Sequence, residues 1–213
     1  MAGLSVTAPF KEVAFAVAGA ASPLANRLEA VNTLVRRRGV WEGESTDVEG
    51  VVEALRGCGV DPRGQRAAVL GVGGAGRAAA LGLALAGARV ALVNRGVERG
   101  RDVADVYGLE FEPLADFDPS QFDLVVHATP LGRSPEDALP FAVDRLGPSA
   151  TVVDLVYGEE ATRLVAAATA CGARAIDGRE VLLRQAVPQF RAMTGHELPL
   201  ELGRRTLGLA VAE

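Results

Sequence analysis

From Arg66 onward, short apolar runs alternate with stretches of helical period. Ala67–Val72, Arg89–Val93, Leu109–Phe111, Leu124–Val126, Thr151–Leu155 and Ala173–Ile176 read as strands. Gly76–Ala86, Val97–Tyr107, Ala161–Cys171 and Gly178–Met193 read as helices, with another over Leu198–Ala210. Such alternation predicts an α/β, doubly wound parallel sheet covered on both faces. Ahead of it, Leu4–Thr7 reads as a strand, and Pro9 and Lys11 open an Ala/Val-rich helix to about Ala20. Ser22-Pro23 breaks that helix. Glu29–Arg38 and Val40–Glu44 flank Gly39 and predict a β-hairpin with Val31, Leu34 and Val35 as its apolar members. Thr46-Asp47 is expected to cap a helix reaching about Cys58, because both side chains accept bonds from free first-turn N–H groups. Gly59, Pro62 and Gly64 mark a turn. These signals divide the chain into a smaller α/β piece over 1–60, with 190–213 packing back on it, and a larger domain over 61–189.

Composition narrows the class. Of 213 residues, 49% are hydrophobic and 23% charged, the mix of a soluble globular protein. The uncharged run Ala78–Ala88 is bounded by Arg77 and Arg89, far short of a ~20-residue membrane span. No charged-then-apolar signal segment opens the chain, and a cytoplasmic location is expected. A net charge of -5 and a pI near 5.2 argue against a general nucleic-acid binder. Cys58 and Cys171 alone make neither a disulfide framework nor a cysteine-based metal site, and no metal is expected. The strand, helix and hairpin of the smaller piece are too little to bury a core of their own.

One lysine stands among 22 basic residues, Lys11. Arginine keeps its proton under protein conditions, whereas lysine can shift its pKa and act as acid or base. In a chain that otherwise uses arginine throughout, the exception is a chemical candidate.

Gly71-Val72-Gly73-Gly74-Ala75-Gly76 follows a buried-looking strand and opens an Ala/Leu-rich helix, which is G-x-G-x-x-G in the context that gives it meaning. Gly71 permits the tight turn, Gly73 lets backbone approach a pyrophosphate, and Gly76 allows close helix–strand packing. The phosphates would rest on free N–H groups at the helix start. This predicts a Rossmann dinucleotide site. The next strand ends Val93-Asn94-Arg95-Gly96, with Arg99 one turn later. No carboxylate is present there to hold a ribose 2′-hydroxyl, and a guanidinium would attract a 2′-phosphate. The reading is NADP over NAD.

Several strings together resemble the shikimate dehydrogenase family. Ser5-Val6-Thr7-Ala8-Pro9-Phe10-Lys11 is similar to that family's N-V-T-x-P-x-K, and Ala30-Val31-Asn32-Thr33 to its A-V-N-T. Ser45 to Gly50 resembles N-T-D-x-x-G, Gly71 to Arg77 G-x-G-G-A-x-R, and Ala128-Thr129-Pro130-Leu131-Gly132 A-T-P-L-G. Asn94-Arg95, Asp154 to Tyr157, and Asp177-Gly178 through Gln185-Ala186 complete the series in family order. The resemblance implies NADPH-dependent, reversible reduction of 3-dehydroshikimate to shikimate, with quinate as an alternative substrate. It implies Lys11 and Asp47 as the catalytic pair, and Thr7, Asn32, Tyr157 and Gln185 as substrate contacts. The cofactor residues it implies are Gly71, Gly73, Gly74, Ala75, Asn94, Arg95, Arg99, Thr129 and Gly178. The chemistry agrees: hydride delivery to a ketone leaves an alkoxide that needs a proton, and a lysine beside a carboxylate can supply it or hold the charge.

The sequence also departs from the family's pattern. Ser5, Ser45 and His127 stand where the family usually has asparagine, and a lone histidine such as His127 is given no role. Family members carry a strand-helix-strand stretch, with a Ser-x-Ser pair for the substrate carboxylate, ahead of the segment matching Leu4. No such stretch is found here, which implies an N-terminally incomplete catalytic unit, a homodimer or completion by another polypeptide segment. An NADP-binding module without catalysis, or another Rossmann-type reductase, is the alternative reading.

Overall fold

A computed structural model of the chain describes residues 3–134 and 136–210. The first part holds β1 (Gly3–Ser5), α1 (Lys11–Val17), β2 (Ala20–Ala21), α2 (Pro23–Leu28), β3 (Thr33–Arg37), β4 (Val40–Glu44) and α3 (Asp47–Gly57). Its four strands form a mixed sheet in the order β1-β3-β4-β2. The hairpin β3–β4 turns at Arg38 and Gly39, both at positive φ (49° and 86°), the backbone a two-residue turn needs to match strand twist.

Three expectations for this region are corrected. Ser22-Pro23 starts a helix rather than ending one. Ser22 Oγ accepts the Ala25 N–H at 3.2 Å, and Pro23 stands at the first helical position, where its missing N–H costs nothing. The helix stops at Glu29, in the left-handed region at φ 51°, so the hairpin strand begins at Thr33 rather than Glu29. The N-terminal helix likewise ends at Val17, because Ala20–Ala21 pairs with β4.

The second part runs β5 (Arg66–Leu70), α4 (Gly74–Leu85), β6 (Arg89–Asn94), α5 (Val97–Tyr107), β7 (Glu110–Pro113), β8 (Leu124–His127), β9 (Thr151–Asp154), α6 (Arg163–Ala170), β10 (Arg174–Ile176), α7 (Gly178–Thr194) and α8 (Leu200–Thr206). All six strands are parallel, in the order β10-β9-β8-β5-β6-β7. This is the expected Rossmann α/β arrangement, and the strand order reverses between β5 and β8. The period-2 alternation explains why both faces need cover. Ala67, Val69, Val90, Leu92, Leu124 and Val126 pack on one face, and Ala68, Leu70, Ala91, Val93 and Val125 on the other.

The two sheets are joined by helices. Helix α3 packs on α4 and α7. At the α3–α4 contact, a Cβ on Gly82 would fall on the Val48 carbonyl, so glycine lets the helix backbones meet. The far end of α7 reaches the small sheet, where Met193 closes over Gly3. Helix α8 packs on α7, through Gly203 against Leu183 and Arg204 Nη1 at 2.7 Å from Glu180 Oε2. No helix among the described residues is long and apolar enough to cross a membrane.

Candidate active site

Lys11 is the first residue of α1 and Asp47 the first of α3, so two helix starts meet above the small sheet. The Lys11 Nζ donates to Asp47 Oδ2 at 2.6 Å, with the side chains 16% and 9% exposed. Asn32, in the turn before β3, fixes the carboxylate from behind: its Nδ2 donates to Asp47 Oδ1 and to Thr46 Oγ1, each at 2.9 Å. Its Oδ1 accepts from Thr33 Oγ1 at 2.8 Å and the Thr46 backbone N–H at 3.0 Å. Thr46 Oγ1 in turn donates to the Gln185 carbonyl at 3.0 Å.

One expectation changes here. Thr46 holds the N-cap position of α3 without a side-chain capping bond, because its hydroxyl faces Asn32 and α7 instead. Asn32 is expected from sequence to bind substrate, yet all four hydrogen-bonding positions of its amide are taken within the protein. In this geometry the amide bonds Asp47 and Thr46. The polar tips of Thr7, Gln185 and Tyr157 make no hydrogen bond among the described residues and are free to meet a ligand. Thr7 is exposed in the turn before α1, Gln185 is half-buried on α7 facing α3, and Tyr157 is exposed after β9.

The second half of the site is the turn from β5 into α4. Gly71 sits at φ 101°, where an L side chain is strained, and a Cβ there would lie 3.1 Å from the Ala128 carbonyl oxygen. Positions Gly73 and Gly74 face open space, α4 lacks a side-chain cap, and its first turn carries no acidic residue. The N–H groups at this helix start, with Ala75 among them, suit a pyrophosphate. Asn94 Nδ2 donates to the Gly96 carbonyl at 2.9 Å, while Arg95 and Arg99 are exposed and have no carboxylate partner among the described residues. Gly178 opens α7 so close to β9 that a Cβ would lie 2.7 Å from the Asp154 and Val156 carbonyls. These residues fit a dinucleotide carrying a 2′-phosphate.

One contact links the halves. Glu12, next to Lys11, accepts from Arg77, next to Gly76, at 2.5 Å. The lysine therefore stands beside the phosphate turn. No family model matches the chain. The NADP(+)-dependent shikimate dehydrogenase of Acidiphilium cryptum (strain JF-5) is 43% identical over 196 residues, covering 91% of this chain and 71% of its own length. The chain belongs to the shikimate dehydrogenase family. The crystal structure of the Aquifex aeolicus enzyme superposes with a TM-score of 0.91 at 31% identity, covering 97% of this chain and 77% of that one. Shikimate 5-dehydrogenase from Thermus thermophilus, in complex with NADP(H) and shikimate, gives 0.88 at 34% identity over 97% and 79%.

Two polar residues lie in this neighbourhood without a sequence-based role. Gln189, buried on α7, donates from Nε2 to the Asn32 carbonyl at 3.1 Å and accepts from Ser5 Oγ at 3.2 Å. It ties β1, the Asn32 turn and α7 together. Its spacing of four from Gln185, one face of one helix, was the available signal. The other is His127, buried at the end of β8. Among the described residues no cluster of His, Cys, Asp or Glu could hold a metal ion.

Proposed function

We propose that this chain is an NADP-dependent oxidoreductase that interconverts 3-dehydroshikimate and shikimate, with Lys11 and Asp47 at the reacting oxygen. The observation that carries the reading is the 2.6 Å Lys11–Asp47 pair, anchored by Asn32 and held beside the Gly71–Gly76 turn through Glu12 and Arg77. Gly71, Gly73, Gly74, Ala75, Asn94, Arg95, Arg99, Thr129 and Gly178 would hold the cofactor, which supplies or takes the hydride when bound. In the reducing direction Lys11 donates its proton to the substrate oxygen, and Asp47 keeps the amine oriented and balances its charge. In the oxidising direction the same amine takes the hydroxyl proton. Thr7, Gln185 and Tyr157 offer unengaged hydroxyl and amide groups to a polyhydroxylated ring. We place the catalytic unit at residues 1–60 with 190–213, and the NADP unit at 61–189.

The test is direct. Purified protein given NADP+ and shikimate should form NADPH, with slower turnover on NAD+, and Lys11→Ala should lose turnover while still binding NADP+. Absence of turnover by a protein that binds NADP+ would leave only the nucleotide-binding reading, and a quinate arm of the same assay separates the two substrates. In the small sheet β1 pairs with β3 alone among the described residues, and its Leu4 is exposed. This supports strand pairing with a second copy or another polypeptide segment, which sedimentation of the purified chain would detect.

A further inference from the structure

His127 is the last residue of β8 and Asp154 the last of β9, and the two are paired in register across neighbouring strands. Both are buried, 1% and 0% exposed. The ring Nδ1 lies 2.9 Å from Asp154 Oδ1, and Nε2 lies 2.6 Å from Thr129 Oγ1. Asp154 also accepts the Val156 N–H at 3.0 Å and the Thr162 hydroxyl at 2.6 Å. A carboxylate accepts only, so a ring that carries one proton places it on Nδ1, facing Asp154, and Nε2 is then an acceptor. The Thr129 hydroxyl then gives its single proton to Nε2, while its oxygen accepts the Leu131 N–H at 3.3 Å. Towards the crevice Thr129 then has one lone pair left and no proton.

Thr129 stands where that matters. A Cβ on Gly71 would lie 3.1 Å from Thr129 Cγ2, so the threonine rests against the first glycine of the phosphate turn, at the point where strand order reverses. A phosphate oxygen also offers only lone pairs and cannot bond to such a hydroxyl. A ribose hydroxyl or a carboxamide N–H can.

We propose that His127, held by Asp154, is a positioning residue that turns Thr129 into an acceptor for the nicotinamide nucleoside of the cofactor rather than for its phosphates. The inference rests on the NADP reading and deepens it. Neither residue touches the reacting substrate atoms, so the readout is binding. Dissociation constants would be measured by calorimetry for NADP+ and for 2′,5′-ADP, which carries the 2′-phosphate but no nicotinamide nucleoside. Four proteins are compared: the unaltered chain, His127→Leu, Thr129→Val and the double variant.

Each single substitution should weaken NADP+ about fivefold to tenfold, the loss of one hydrogen bond. The double variant should match Thr129→Val alone, because His127 acts through the threonine. Affinity for 2′,5′-ADP should stay within about twofold throughout, since its contacts are elsewhere. Effects that multiply in the double variant, or an equal loss for 2′,5′-ADP, would overturn the proposal while leaving NADP binding intact. Failure of the unaltered chain to bind either ligand would instead overturn the NADP reading. If His127→Leu does not fold, His127→Asn takes its place: the shorter amide keeps a donor for Asp154 and loses the Nε2 acceptor, and the same comparison decides.

Discussion

Asn32 and Asp47 are joined by one 2.9 Å hydrogen bond, from Nδ2 to Oδ1, and that bond turns the other carboxylate oxygen to Lys11. The amide is buried and otherwise occupied by Thr33 and Thr46, so it cannot swing away without leaving polar groups unpaired. Asn32→Ala is expected to destabilise the protein by about 1–3 kcal/mol, the cost of unsatisfied buried partners. It should also lower kcat about a hundredfold through a displaced Asp47, with NADP+ affinity little changed. Denaturant unfolding, steady-state kinetics and calorimetry read the three effects separately.

Replacing Lys11 isolates the proton step. Lys11→Ala should reduce kcat by about 10²- to 10⁴-fold, the range for loss of a positioned acid–base group. Lys11→Arg should not restore it, because a guanidinium does not release its proton under these conditions. A variant retaining most of its turnover would remove Lys11 from the chemistry.

Arg95 separates the two nicotinamide cofactors. An Asp at this position would repel a 2′-phosphate and could accept from a 2′-hydroxyl. Arg95→Asp is expected to weaken NADP+ by about 1.5–3 kcal/mol, the loss of a charge-assisted bond, and to weaken NAD+ far less. Equal affinities for both cofactors before and after the change would refute the phosphate contact.

Gly82 governs how the two parts of the chain are mounted on each other. A side chain there meets the Val48 backbone rather than a movable tip, so the helices must separate. Gly82→Val should cost about 1–3 kcal/mol by overpacking. The same substitution should leave 2′,5′-ADP binding intact if the large sheet keeps its fold.

The Asp137 carboxyl accepts the Ser134 and Gly132 N–H groups, and these bonds hold its pKa below the ordinary 3.8. A carboxyl depressed in the folded state contributes stability that is complete above its unfolded value and is lost as pH falls through the folded one. The stability gap between the unaltered protein and Asp137→Asn should be constant near neutral pH and close in acid. Denaturation measured across that range would show a gap that widens in acid if the reasoning is wrong.

How much of this was legible in the sequence differs by element. The parallel sheet was, because strands buried on both faces are short, apolar and separated by helices of clear period. The fingerprint turn was, because Gly71 and Gly73 answer to backbone demands that few other residues meet. Helix α2 was not, since Ser22-Pro23 reads equally well as a stop or a start and only the fold of Pro23–Leu28 decides. Lys11, Asp47 and Asn32 stand out in the sequence, but the division of labour among them depends on distances that spacing does not encode. His127 stands out in the sequence as a departure from the family's asparagine, but its partner does not: Asp154 lies 27 residues away, and only parallel register of β8 with β9 brings it opposite.

The contact between Glu12 and Arg77 joins the first turn of α1 to the first turn of α4. Glu12 is largely exposed, at 69%, so water and salt screen its side of the pair, whereas Arg77 is mostly covered, at 18%. Arg77 Nε, by contrast, is enclosed and makes no hydrogen bond among the described residues. The pair is therefore screened by water on one side and leaves Arg77 short of a partner on the other. Added salt, by screening the pair, should weaken this contact more than it weakens the buried ion pair of Lys11 with Asp47.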